Sequence, residues 1–400
     1  MYNDLCHLVA IIGHIGSAYI LNRLLALFTK NNDAVTFGTI YFCISPAVAA
    51  SVWSIDSAVQ TMSTLFGLAA IWSLVTVAPF KREIIASGCI LVSVLWKESG
   101  ISWFLAAPLL TIAINRKRIG EKTRSIKKTE IQWIIGGIVG IVLYLTIRSI
   151  LSINNGNIGL TEGRYSLHVS PLIWIKNAVM LLGVTITTID TVSLFGDKSI
   201  VIAALTFMGG APLLYITGKN ISIRKNYNFL CALVTITVMG PHLFMGHVSE
   251  MYAHPILCSI ILCIFVCLEL PPYISLKYKI ILGVGLMTCI VVSTHKYIEM
   301  YETGKRANTV AENILNTYKK TDRIPDWVCT IYENKTEKKS YSVFRADYQK
   351  ASAWGRSIWV STNWKRPLHF EEALKIEECS NRANAFWRVK RDGKFEKIVP

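Results

Sequence analysis

Residues 131–151 read IQWIIGGIVGIVLYLTIRSIL, a run whose one charged residue is Arg148. As a helix rising about 1.5 Å per residue it reaches about 30 Å, the depth of the hydrocarbon core of a bilayer. Immediately before it stands NRKRIGEKTRSIKKTE (Asn115–Glu130), which holds seven Lys and Arg. A membrane-length apolar run flanked by a basic loop is the signature of a transmembrane helix whose loop stays in the cytoplasm. That pairing decides the class of the chain.

The rest of the sequence agrees. Of 400 residues 52% are hydrophobic and 17% charged, with a mean hydropathy of +0.40. The apolar residues come in long runs, not at the 2 or 3.6 spacing of half-buried strands and helices. A soluble enzyme, a disordered chain and a nucleic-acid binder are all excluded. The formal charge of +16 belongs instead to loops and lipid head groups.

Cutting the chain at its polar breaks gives ten candidate crossings: Leu5–Phe28, Ala34–Val52, Ser57–Ala78, Ile84–Trp96, Ile101–Ile114, Ile131–Leu151, Ile200–Thr217, Phe229–Met245, Pro255–Leu270 and Ile280–Thr294. Ile84–Trp96 and Ile101–Ile114 are short for a full crossing. Asn177–Phe195 turns polar half-way and is read as an interfacial or re-entrant helix. Ten crossings place sixteen Lys and Arg on the side of the Asn115–Glu130 loop, among them Arg23, Arg82, Lys225 and Lys279. They leave five, including Lys97, Arg148 and Arg164, on the other side. The N-terminus and the tail are then exoplasmic.

The tail, His295–Pro400, holds 21 of the 42 Lys and Arg and 14 of the 26 Asp and Glu. It has no membrane-length run and reads as a small soluble α+β domain, so the chain divides into 1–294 and 295–400. Its Trp residues, Trp387 among them, are expected to form a core. Eight of the ten Cys lie in apolar spans and act as small hydrophobes. Cys329 and Cys379 lie in the tail, where they are free to pair or not as the geometry dictates. The opening MYNDLCHLVAIIGHIG lacks the basic start and small-residue cleavage site of a signal peptide. A chain that begins inside an outside-to-inside helix is expected to lack an N-terminal segment.

Ionisable groups at membrane depth are costly and are functional candidates by default. Here they gather at the outer face: Asp56 after Trp53, Lys97 and Glu98 between two spans, Arg164 in an outer loop, and His242, His247, Glu250, Tyr252 and His254 in PHLFMGHVSEMYAHP. A wet cavity open to the exoplasm is expected. The plainer alternatives are a structural Lys97–Glu98 ion pair and helix-packing roles for His7 and His14. The three late histidines do not have zinc-site spacing, and no metal site is expected.

Four segments, in order, resemble the GT-C membrane glycosyltransferases, in particular the protein O-mannosyltransferase-like and tetratricopeptide-bearing branch. They are CHLVAIIGHIGSAYILNRLLALF, SPAVAASVWSIDSAVQTMSTLFGLAAIWSL, VLWKESGISWFLAAPLL and HVSEMYAHPILCSIIL. The third, with Lys97 and Glu98, is the most specific. The chain departs from the pattern where Arg is expected near Asp56 and again at Met251, and the loop that usually bears the main catalytic Asp is absent.

The resemblance implies an all-α polytopic fold and transfer of a sugar from a polyprenyl-phosphate donor to a glycan or protein acceptor on the exoplasmic side. It implies Asp56, Glu98 and Glu250 as the acid–base candidates. Lys97, Arg164, Tyr252 and His254 are implied as contacts to the donor phosphate or substrate. No cofactor is expected beyond, at most, a divalent cation. The implied setting is the inner membrane of a bacterium, with the tail periplasmic. The competing readings are a lipid-linked glycan exporter or flippase and an inactive GT-C relative.

Overall fold

The computed structural model describes residues 2–53, 58–79, 81–119, 127–154, 170–186, 225–245, 250–267, 276–319, 327–332, 369–373, 376–379, 381, 385–389 and 395–398. The protein is mostly helical, with a small C-terminal sheet. The helices are α1 (Tyr2–Leu25), α2 (Asn32–Ile44), α3 (Pro46–Trp53), α4 (Ala58–Thr76), α5 (Lys81–Trp96), α6 (Trp103–Ile119) and α7 (Lys128–Asn154). They continue with α8 (Pro171–Ile186), α9 (Lys225–Leu243), α10 (Ala253–Cys267) and α11 (Leu276–Lys319). Short 3-10 turns at Glu98–Ser102 and Glu250–Tyr252 lead into α6 and α10.

Among the described residues, five helical segments are long and apolar enough to cross a membrane: Leu5–Leu25, Ala58–Thr76, Lys128–Ile150, Glu250–Cys267 and Lys279–Ile298. The bent pair α2 and α3 makes a sixth if counted as one span. Of the ten expected crossings, these are the ones that the described residues show. Helices α5 and α6 have 16 and 17 residues, α8 and α9 are apolar but short, and Ile200–Thr217 lies outside the described residues.

The expected single span Ala34–Val52 is instead broken by 52°. The cause is Pro46. A proline has no N–H for the helix ladder, and its ring pushes the preceding residue out of the helical region. Ser45 accordingly takes an extended conformation (φ −62°, ψ 129°). Its hydroxyl then accepts the Ala47 N–H at 3.3 Å, so the same residue ends one helix and caps the next.

Two helices mark the extremes of burial. The window in α10 and its leading turn is 89% buried, and it packs on α2, α3, α4, α6, α8, α9 and α1. The window in α7 is 6% buried, and Ile135, Val139, Val142, Leu143 and Ile150 stand exposed along it. Water would not tolerate that face, whereas acyl chains cover it at no cost. Helix α1 approaches α4 through glycines. A Cβ on Gly13 would meet the Thr61 hydroxyl at 2.7 Å, and one on Gly16 would meet Leu65 at 2.9 Å. Small residues at such contacts let helix backbones come close where no hydrophobic effect drives association.

The chain forms two compact units that change over between Thr294 and His295, inside the unbroken helix α11. The second unit carries a four-stranded sheet of β1 (Trp327–Tyr332), β2 (His369–Ala373), β3 (Ala385–Val389) and β4 (Phe395–Ile398), in the order β2-β1-β3-β4. The pairs of β1 with β2 and with β3 are parallel, and β3 pairs antiparallel with β4. Trp387 is buried, and Cys329 on the central strand is disulfide-bonded to Cys379. The structure thus decides the pairing that the sequence left open.

Candidate functional site

The polar groups of the helical unit sort to its two ends. At one end five of the described cations are held closely. Arg116 donates to Glu130 at 2.6 Å, Lys279 meets Asp33 at 2.7 Å, and Arg82 donates to Glu83 at 2.8 Å. Arg23 lies over Trp72 and Arg82 over Trp133. Lys117 lies over Phe28 and donates to the Phe265 carbonyl, one of the orphan acceptors that a helix leaves in its last turn. These contacts join the ends of α1, α4, α6 and α10 to the starts of α2, α5, α7 and α11.

The opposite end is assembled from the complementary termini. The ring of His7 in α1 lies 5.6 Å from that of Trp53, the last residue of α3. Ser99, in the turn after α5, donates to Gln60 near the start of α4 at 3.4 Å, and Ser51 donates to the Met251 carbonyl at 2.8 Å. Asn177 of α8 donates to the carbonyls of Leu243 and Met245, just where α9 ends. All of the described candidate residues belong to this end.

Lys97 and Glu98 sit at the mouth of the Glu98–Ser102 turn. Lys97 is extended (φ −152°, ψ 135°), so the chain leaves α5 sharply and both side chains project from the turn. Gly100 makes that turn possible: a Cβ there would lie 2.6 Å from the Ser93 carbonyl. The ammonium of Lys97 stands 3.8 Å from one oxygen of Glu98. The other oxygen is 4.0 Å from the guanidinium of Arg148, which also donates to Tyr144 one turn back on α7. All three side chains are a third to a half exposed, so this is an open cluster with a net positive charge. Arg148 was read from the sequence only as an outer cation, because 50 residues separate it from Glu98 and no motif links them.

The later candidates are closed in. Glu250, Tyr252 and His254 are all buried, not lining an open wet cavity as expected. The α3, α8 and α10 helices pack against the Glu250–Tyr252 turn and shut it off. Tyr252 stacks face-on with His242, ring centroids 3.9 Å apart and planes 14° from parallel. His254, in the first turn of α10, meets His14 of α1 at 3.0 Å, and Phe42 packs edge-on against it. The other nitrogen of His14 lies 3.2 Å from the Cys43 carbonyl. His14 is the member that sequence reasoning missed. Its separation of seven from His7 marked the helix face, but nothing in the sequence names a partner 240 residues away.

Asp56, Arg164 and His247 lie outside the described residues. Among the described residues no group of three or more His, Cys, Asp or Glu could hold a metal ion. No protein-family model matches the chain, and neither a curated protein nor a solved structure matches it.

Proposed function

We propose that this membrane protein is a glycosyltransferase of the GT-C type, which passes a sugar from a polyprenyl-phosphate donor to a glycan or protein acceptor. The observation that carries the reading is the Lys97–Glu98–Arg148 cluster. Two cations share one carboxylate at distances too long for strong hydrogen bonds, and one of them rides on the helix whose flank is given to lipid. An anionic head group arriving from the bilayer would find both cations within reach and only loosely engaged.

The chemistry requires little more than this. The donor sugar is already activated as a phosphate ester, so the barrier falls mainly through charge stabilisation on the departing phosphate and a base for the acceptor hydroxyl. Lys97 and Arg148 supply the first. The acid–base group comes from the candidates Asp56, Glu98 and Glu250. Glu98 has the further task of holding the two cations together until phosphate replaces it. No metal or other cofactor enters this scheme.

The setting proposed is a bacterial inner membrane with the cluster and the tail facing the periplasm. Two features support it. The closely matched cations lie at the opposite end of the bundle, as the excess of Lys and Arg on cytoplasmic sides would have it. The Cys329–Cys379 disulfide suits an oxidising compartment.

The test is sugar transfer in isolated membranes from a radiolabelled polyprenyl-phosphate sugar. Lys97→Ala is expected to lower transfer by about 100-fold or more at unchanged protein abundance, the size seen when one electrostatic stabiliser is lost. Full activity in Lys97→Ala removes the phosphate role. Recovery of activity in the double variant Lys97→Met/Glu98→Gln shows the pair to be structural.

A further inference from the structure

Helix α4 carries Gln60, Ser63 and Gly67 at the spacing i, i+3, i+7, which is one face of a helix. That face receives the whole connection from α5 to α6. Gln60 accepts the Ser99 hydroxyl, Ser63 meets Ser93 of α5, and the ring of Trp103, the first residue of α6, fills the notch at Gly67. A Cβ on Gly67 would run into that ring.

The middle contact is the tightest. The Ser93 hydroxyl donates to the Ser63 carbonyl at 2.7 Å, so its oxygen is left to accept, and the Ser63 hydroxyl donates to it at 2.8 Å. Both serines are buried, and they lock to each other by this reciprocal pair of bonds. Ser93 is also where the turn after α5 is anchored. Its carbonyl accepts the Lys97 N–H at 3.1 Å, and Gly100 closes down on the same carbonyl. The Lys97 carbonyl in turn accepts the Gly100 N–H at 2.8 Å. Whatever moves Ser93 along α4 moves the backbone of Lys97 with it.

Holding the two helices together does not need this pair. Helices α4 and α5 pack closely on each other and are bonded again at their other end, where Ser73 donates to the Arg82 carbonyl at 3.1 Å. A hydrogen bond between helices in a bilayer adds little stability on average, because the unfolded helix in lipid finds other partners. What two bonds on one residue pair do supply is a fixed register. The register decides where Lys97 and Glu98 stand.

We propose that Ser63 and Ser93 are positioning residues: they fix the turn that holds the Lys97 ammonium and the Glu98 carboxylate near Arg148, and so set the affinity of that cluster for a lipid-borne phosphate. This rests on the glycosyltransferase reading and adds to it two residues that touch no substrate. Charges stabilise a phosphate well only when they are already in place, so a small shift of the turn weakens the cluster without removing any of its groups.

The test is a titration of the full chain in nanodiscs with undecaprenyl phosphate, read for both Kd and the number of sites per protein. Ser93→Ala removes both bonds and is expected to weaken binding about tenfold with the number of sites unchanged. Ser63→Ala removes one bond and should weaken it less. The double variant should match Ser93→Ala, because nothing of the pair is left for the second change to remove. Thr64→Ala is the control. It deletes a buried hydroxyl whose bond, to the Gln60 carbonyl at 2.9 Å, stays within α4, and Kd should not change. A pair that only holds helices together gives fewer sites at unchanged Kd, and that pattern overturns the inference. Equal Kd in Ser93→Ala and Thr64→Ala overturns it as well.

A wild type that binds no undecaprenyl phosphate overturns the glycosyltransferase reading, and the positioning is then decided without ligand. Nitroxides are placed on Lys97→Cys and Arg148→Cys in a background without other reactive cysteines. Their dipolar broadening should weaken when Ser93→Ala is added and hold when Thr64→Ala is added. The same spectrum in all three proteins overturns the inference by itself.

Discussion

The two ends of the helical unit use the same kinds of side chain to opposite effect. At one end Arg23, Arg82, Arg116, Lys117 and Lys279 are each held by a near acid, an aromatic face or a helix carbonyl. Arg116 and Glu130 meet at 2.6 Å with Glu130 almost wholly buried. At the other end Lys97 and Arg148 stand 3.8 and 4.0 Å from a carboxylate that is itself half exposed. The first arrangement spends its charge on anchoring helices. The second leaves charge available for something else. Counting basic residues would not separate the two; distance and burial do.

The largest expected effect on this contrast comes from exchanging the fates of two arginines. Arg148→Ala should lower sugar transfer by about 100-fold, with little change in melting temperature, because exposed pairs of this kind contribute about 0–1 kcal/mol. Arg116→Ala should do the reverse. It strands Glu130 without its main partner, costs about 2–3 kcal/mol of stability, and lowers activity only in step with the amount of folded protein. Thermal melts beside transfer rates read both. Parallel losses in the two variants would erase the distinction between the ends.

A smaller effect is expected at Gly100. Gly100→Ala forces a Cβ toward the Ser93 carbonyl and shifts the turn that projects Lys97 and Glu98. Overpacking of this size costs about 1–3 kcal/mol. Transfer should fall further than the loss of folded protein explains, whereas Gly88→Ala, with open space at its Cβ, should change neither. Equal behaviour of the two alanines would mean that the turn does not set the cluster.

The smallest effect concerns the other unit. Cys329 and Cys379 should take a maleimide mass tag only after reduction, with no change in sugar transfer on a minutes scale when the bond is cut. Tagging without reduction would place the tail in a reducing compartment.

These contrasts also show what could be read along the chain. Apolar runs of membrane length mark helices whatever they pack on, which is why α1, α4, α7, α10 and α11 lie where hydropathy puts them. Charge patterning groups Arg23, Arg82, Arg116 and Lys279, and these do meet at one end of the bundle. The break at Ser45 had a local signal in Pro46, but the apolar run on both sides hid it. The runs Ile84–Trp96 and Ile101–Ile114 already looked short for a crossing, and the helices that contain them, α5 and α6, have 16 and 17 residues. The site was legible only in part. Lys97, Glu98, Glu250, Tyr252 and His254 stood out as polar groups in apolar surroundings. The contacts of Arg148 with Glu98 and of His14 with His254 depend on which helices become neighbours, and no periodicity encodes that.

If the protein transfers sugar as proposed, its two ends face different compartments and the loosely held cations lie on the exoplasmic side. A single labelling experiment on intact cells, with one cysteine placed at the end of α7 and another in the basic loop that precedes it, in a background without reactive cysteines, tests this most directly. Asn154→Cys is predicted to react with a membrane-impermeant maleimide at once, and Thr123→Cys only after the membrane is opened. Labelling of Thr123→Cys in intact cells with Asn154→Cys protected would turn the molecule over, put Lys97 and Arg148 in the cytoplasm, and contradict the account.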